Sequence, residues 1–90
     1  MIKYLVIAKE WRDKINGNSY FSAQIESTSN NKIVSKLRFQ YGYGDHSLYT
    51  AINELVDKGL LSKKMFPSEQ PIKYIKIENV LKRDVVSFGQ

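Results

Sequence analysis

The densest run of chemistry-bearing side chains is Tyr41-Gly42-Tyr43-Gly44-Asp45-His46. Glycines that lead into a helix start can present free N–H groups to an anion, and the helix dipole favours negative charge there. Arg38 and His46 are near enough in sequence to add donors. Tyr41 and Tyr43 can stack on a base or offer hydroxyls. These residue types suit a phosphate-bearing ligand. The spacing is neither G-x-x-x-x-G-K-[ST] nor G-x-G-x-x-G, so it matches no nucleotide-binding fingerprint. Asp45 at the helix start would itself repel an anion. The plainer reading is a strand-to-helix turn whose glycines serve geometry and whose Tyr41 belongs to the core.

Three further groupings can carry binding. Lys36 and Arg38 are two apart, so on a strand they point the same way, with Val34 and Gln40 beside them. Tyr20, Ser22 and Gln24 of a neighbouring strand would join that face if register permits. A sheet face of basic and aromatic residues is one way to hold a single-stranded nucleic acid, and it is also what any wet sheet face looks like. Trp11 and Arg12 sit in a charged stretch, where a tryptophan anchors a protein partner or folds onto the core as a lid. Lys63-Lys64-Met65-Phe66 sets two cations beside two apolar groups on an expected loop. It suits phosphate binding, partner binding or plain solubility.

For catalysis the inventory is thin. There is no cysteine, which excludes disulfides, thiol nucleophiles and Cys-containing zinc sites. His46 is the only histidine, which excludes a multi-histidine metal site. Nine acidic residues offer carboxylate pairs, but no spacing selects one. No enzyme activity, cofactor or metal is expected. Fourteen lysines and arginines give a net charge of +5, which raises the odds of a polyanionic partner. No block of five like charges forms a basic arm. The longest apolar run, residues 4–8, is too short for a membrane span or a signal-peptide core. A soluble cytoplasmic protein with no membrane partner is expected.

The elements that must position these groups fit in one domain of 90 residues. Residues 2–8 are apolar on both faces and read as a central strand. Residues 9–18 carry turn chemistry, with Asn16-Gly17 the strongest signal for a tight hairpin. Residues 20–27 alternate, with Phe21, Ala23 and Ile25 on the dry side. Residues 33–41 alternate again, placing Ile33, Leu37, Phe39 and Tyr41 on one face and Val34, Lys36, Arg38 and Gln40 on the other. A helix is expected over about 46–58, with Leu48, Ala51, Ile52, Leu55 and Val56 as its apolar stripe and Gly59 as a left-handed C-cap. Residues 62–71 form a loop and 72–77 a fourth strand. Residues 80–88 are a short fifth strand or a docking tail, with 82–90 as the possible tail. The expected fold is α+β: a two-layer sandwich in the order β-β-β-α-β, with an antiparallel sheet of four or five strands and one amphipathic helix. The competing fold is a winged helix, which needs two earlier helices where strands are read.

The segment Trp11-Arg12-Asp13-Lys14-Ile15-Asn16-Gly17-Asn18-Ser19-Tyr20, followed by Tyr41-Gly42-Tyr43-Gly44 and a helix, resembles short bacteriophage-encoded proteins. In those, W-x-D-K-x-N-G-N-[ST]-Y precedes Y-G-Y-G. The likeness spans roughly residues 11–55, about half the chain. It brings no established activity and no functional residues. What it implies is origin in a phage, location in the host cytoplasm and a role as an accessory factor, including inhibitors of host defence.

Two functional expectations result. In the first, a non-enzymatic protein holds a nucleic acid or nucleotide through Lys36, Arg38, Tyr43 and His46, with Lys63 and Lys64 as peripheral charges. In the second, it inhibits a host protein by surface occlusion, with Trp11, Arg12, Met65 and Phe66 as anchors. Self-association through an edge strand is compatible with either.

Overall fold

The computed structural model describes residues 1–64 and 66–90. The alternating segments become three long strands, β1 (Tyr4–Asp13), β2 (Asn18–Ser27) and β3 (Ile33–Tyr41). Helix α1 (His46–Asp57), a single 3-10 turn (Pro67–Glu69), strand β4 (Ile72–Ile77) and helix α2 (Lys82–Phe88) come next. The four strands form one sheet in the order β3-β2-β1-β4. As expected for a segment apolar on both faces, β1 is central.

The sheet is mixed, which corrects the expected antiparallel one. β2 runs antiparallel to β1 and to β3, but β4 lies parallel to β1, with Tyr4 opposite Ile72 and Ala8 opposite Lys76. The reason is a count of traverses. Three strands and one helix each cross the sheet once, so β4 starts at the end where β1 starts.

A second correction concerns residues 80–88. They form neither a fifth strand nor an extended tail; Lys82–Phe88 is helical. α1 and α2 pack on opposite faces of the sheet, so the expected two-layer sandwich gains a partial third layer. A third correction concerns residues 9–13, which continue β1 instead of turning. The hairpin loop is residues 14–17. Asp13 holds it by accepting hydrogen bonds from the Ile15 and Asn16 amides and from Asn16 Nδ2. Gly17 takes the positive φ, +73°.

Under α1 lies the core. Val6, Ala8, Phe21, Ala23, Ile25 and Leu37 point up from the sheet to meet Ala51 and Leu55, all of them buried. Ala8 and Ala23 are cross-strand partners. Together with Ala51 they leave room for the helix backbone to come close to the sheet. At its end Gly59, φ +74°, donates to Val56 O, and Leu60 N–H donates to Leu55 O at 2.9 Å. That is the expected left-handed C-cap.

Candidate nucleic-acid interface

Register decides which rings meet on the other face. Trp11 on β1 is opposite Tyr20 on β2, and Tyr20 is opposite Tyr41 on β3. A bulge then brings in Phe39. From Ala23 back to Phe21, β2 takes two steps while β3 advances three, from Leu37 to Gln40. An extra residue in one strand turns the residues beyond it onto the opposite face. Leu37 therefore stays in the core, while Phe39 and Tyr41 turn away from it. This corrects the expectation that all three share a face. A second shift pairs Ile33 with Glu26 and lets Val34 pack against the core, reversing both of those assignments.

The result is a ladder of rings across three strands. Trp11 stacks on Tyr20 at 5.6 Å, and Tyr20 on Phe39 at 5.1 Å with the planes 9° apart. Tyr41 meets Tyr20 edge-on at 5.8 Å, and Tyr43 meets Tyr41 at 6.3 Å. Such contacts are worth about 0.5–1.5 kcal/mol each beyond the area they bury. One end of the ladder is closed, because Lys82 Nζ lies 5.2 Å from the centre of the Trp11 ring. The other end is open: Tyr41 is 53% exposed and Tyr43 67%. Tyr41 thus stands out from the core, contrary to the plainer sequence reading.

Cations border the rings. Lys36 is opposite Gln24 on the ladder's face, as the register condition required. Arg38 sits at the bulge, exposed, its carbonyl accepting from Gln40 Nε2 at 2.9 Å. Arg12 is exposed but, one residue on from Trp11 in the unbroken strand β1, belongs to the opposite face. Lys82 and Arg83 of α2 line an open groove with Trp11, Leu81 and Val86. Lys82 and Arg83 reach Trp11 because Lys82–Phe88 is helical, a grouping that a strand or tail over residues 80–88 does not produce.

The glycine loop connects the ladder to α1. Gly42 is demanded by space: a Cβ there would come within 2.5 Å of the Phe21 ring and 3.0 Å of the His46 ring. Gly44 is demanded by its backbone, φ +59°. Lys76 Nζ donates to Gly44 O at 2.9 Å and pairs with Glu10 at 3.6 Å, which ties the loop to β1 and β4. The Ser47 and Tyr74 hydroxyls lie 2.6 Å apart and fix the first turn of α1 to β4. Burial pushes the Tyr74 hydroxyl above its usual pKa, the Ser47 hydrogen bond opposing the shift. Asp45 occupies the N-cap position without a side-chain cap bond.

The structure brings Tyr43, Lys36 and Arg38 to the ladder and its border, but not the other candidates. His46 starts α1 and packs beside Phe21 at 6.0 Å, on the core side of the loop. Lys63 and Lys64 line a separate groove against α1, with Ile52, Val56, Phe66 and Pro67. Phe66 is exposed there, away from Trp11 and Arg12, so these anchors do not form one surface. Met65 lies outside the described residues. Among the described residues no group of three or more His, Cys, Asp and Glu could hold a metal ion, and no helix is long and apolar enough to cross a membrane. Comparison with protein families, curated proteins and solved structures found no match to this chain.

Proposed function

We propose that the chain is a non-enzymatic binding protein that holds single-stranded nucleic acid against the ladder of β1, β2 and β3. The observation that supports this is the continuous run Trp11, Tyr20, Phe39, Tyr41 and Tyr43, open at its tyrosine end, with Arg38 beside it and Lys36 further along the same face. Every base has a flat face, so stacking on exposed tyrosines is sequence-tolerant, while arginine and lysine hold the backbone. Bases in a duplex are already stacked on each other and present no face to Tyr43. The preferred ligand is therefore unpaired. Tyr41 and Tyr43 supply the stacking surface and Arg38 the nearest phosphate contact, while Lys36, whose Nζ donates to Gln90 O, joins them once that bond is exchanged.

The test is fluorescence anisotropy with a labelled oligothymidylate at about 50 and about 200 mM salt. Saturable binding that falls steeply with salt, and that a duplex competes for poorly, is the expected result. Absence of binding at the lower salt overturns the reading.

One observation favours a second reading, in which the protein inhibits a host protein. Leu81 is 56% exposed and Ile15 94%, and both line a groove with Trp11 and Arg12. An apolar rim beside Trp and Arg is the composition of a protein-binding hot spot. Under that reading Trp11→Ala abolishes inhibition of the partner, and the oligonucleotide does not bind.

A further inference from the structure

The strip of sheet beneath α2 is mainly polar, with the Val85 side chain of α2 fully buried above it. Ser22 is fully buried there, and around it stand Gln24, Lys9 and Lys36. Every one of these four side chains is engaged by α2 or the residues just after it. Ser22 Oγ donates to Val85 O. Gln24 Nε2 donates to Phe88 O at 3.1 Å, and Lys36 Nζ to Gln90 O at 2.7 Å. Lys9 Nζ lies 4.3 Å from the centre of the Phe88 ring. Lys82 likewise covers Trp11. The segment thus offers the sheet three carbonyl oxygens and one aromatic face. Those are the acceptors and the ring that a nucleic-acid strand would offer as phosphate oxygens and a base.

Resting on the reading of the ladder as a single-strand site, we propose that Lys9, Ser22, Gln24 and Lys36 form a second, covered subsite for the same strand's backbone. In this arrangement α2 is a strap that occupies the subsite until the strand displaces it. The strip continues the ladder: Lys9 is two residues before Trp11, and Gln24 and Ser22 are four and two after Tyr20. A strand seated on Tyr41 and Tyr43 can extend along it only when α2 lifts. The strap is closed by shape as well as by polar contacts. A Cβ at Gly89 would come within 2.6 Å of Leu37 O and 2.8 Å of Ser22 Cβ. Gly89 has an ordinary helical backbone, φ −91°, so alanine there meets only this steric obstacle.

Hydrogen exchange on the intact protein tests the proposal, with and without a saturating oligothymidylate of about 12 nucleotides. Displacement predicts that amides of residues 85–88 exchange about tenfold faster when the oligonucleotide binds, while amides of β2 and β3 slow. The variant Gly89→Ala, whose strap is already lifted, binds the oligonucleotide tighter than the unaltered protein by up to about tenfold. If the oligonucleotide binds but the α2 amides stay unchanged or slow, and Gly89→Ala binds no tighter, the strap is wrong and the ladder reading stands. If neither form binds, the ladder reading fails and takes the strap with it.

Discussion

On the α1 side of the sheet, Val6, Ala8, Phe21, Ala23, Ile25 and Leu37 expose almost nothing to solvent. On the α2 side, the same three strands carry Lys9, Ser22, Gln24 and Lys36, and then a row of rings that ends in two exposed tyrosines. The first face is closed by hydrophobic burial, which is non-directional and tolerates little change in volume. The second is closed by the single buried Val85 side chain of α2 together with a few hydrogen bonds and cation–π contacts, and a ligand with similar acceptors can replace the polar contacts. The difference assigns stability to one face and exchangeable contacts to the other.

That division can be broken by substitution. Leu55→Ala, on the dry side, should cost about 2–5 kcal/mol in urea unfolding and leave oligonucleotide affinity of the folded fraction unchanged. A matching loss of affinity would show that the two faces are not separable. Tyr74→Phe leaves the buried Ser47 hydroxyl without its partner and should cost about 1–3 kcal/mol. The raised Tyr74 pKa adds a pH signature. The folded form keeps this proton more tightly than the unfolded chain, so its stabilising contribution is full below pH 10 and is lost as pH rises through the folded value. The Phe variant should lack that alkaline decline in a pH series of melts.

The effects should reverse on the other face. Tyr43→Ala removes one stacking surface, worth about 1–3 kcal/mol of binding, yet should shift unfolding by no more than about 0.5 kcal/mol. Lys36→Gln with Arg38→Gln should flatten the plot of log affinity against log salt by about one unit for each phosphate no longer neutralised. An unchanged slope would remove both residues from the site. The smallest effect belongs to Asp13, whose carboxyl is held below 3.8, first by the Asn16 side-chain hydrogen bond. A depressed carboxylate stabilises the fold above its unfolded pKa, and that contribution disappears as pH falls through the folded value. Asp13→Asn should lower the melting temperature slightly at pH 7, and the gap from the unaltered protein should close as pH falls through the depressed folded value.

The dry face was largely legible in the sequence. Phe21, Ala23 and Ile25 alternate without interruption, and Gly59 marks the end of α1 by the conformation it alone tolerates. The parallel placement of β4 was within reach, since it requires only counting one traverse per element, but the short polar connections between the first three strands favour an all-antiparallel reading. The helical spacing of Leu81, Val85 and Phe88 announces α2, but seven residues are too few for periodicity to outweigh a strand reading. The ladder was hidden for a different reason. Residues 33–41 alternate so regularly that nothing in them marks a bulge, and one extra residue moves Phe39 and Tyr41 across the sheet. Trp11 was obscured by its charged neighbours, which lie along a strand instead of in a loop. Residue type and strand spacing single out Tyr43, Lys36 and Arg38 as candidates, whereas the meeting of Trp11, Tyr20 and Phe39 depends on register and on the bulge.

Amide and indole chemical shifts tracked through an oligothymidylate titration address the division of faces most directly. The expected result is a set of shifts confined to the Trp11 indole, Tyr20, residues 38–43 and α2, with Ala51, Leu55, Lys63 and Lys64 unmoved. Shifts centred on α1 and Lys63-Lys64, or no shifts at low salt, would contradict the account.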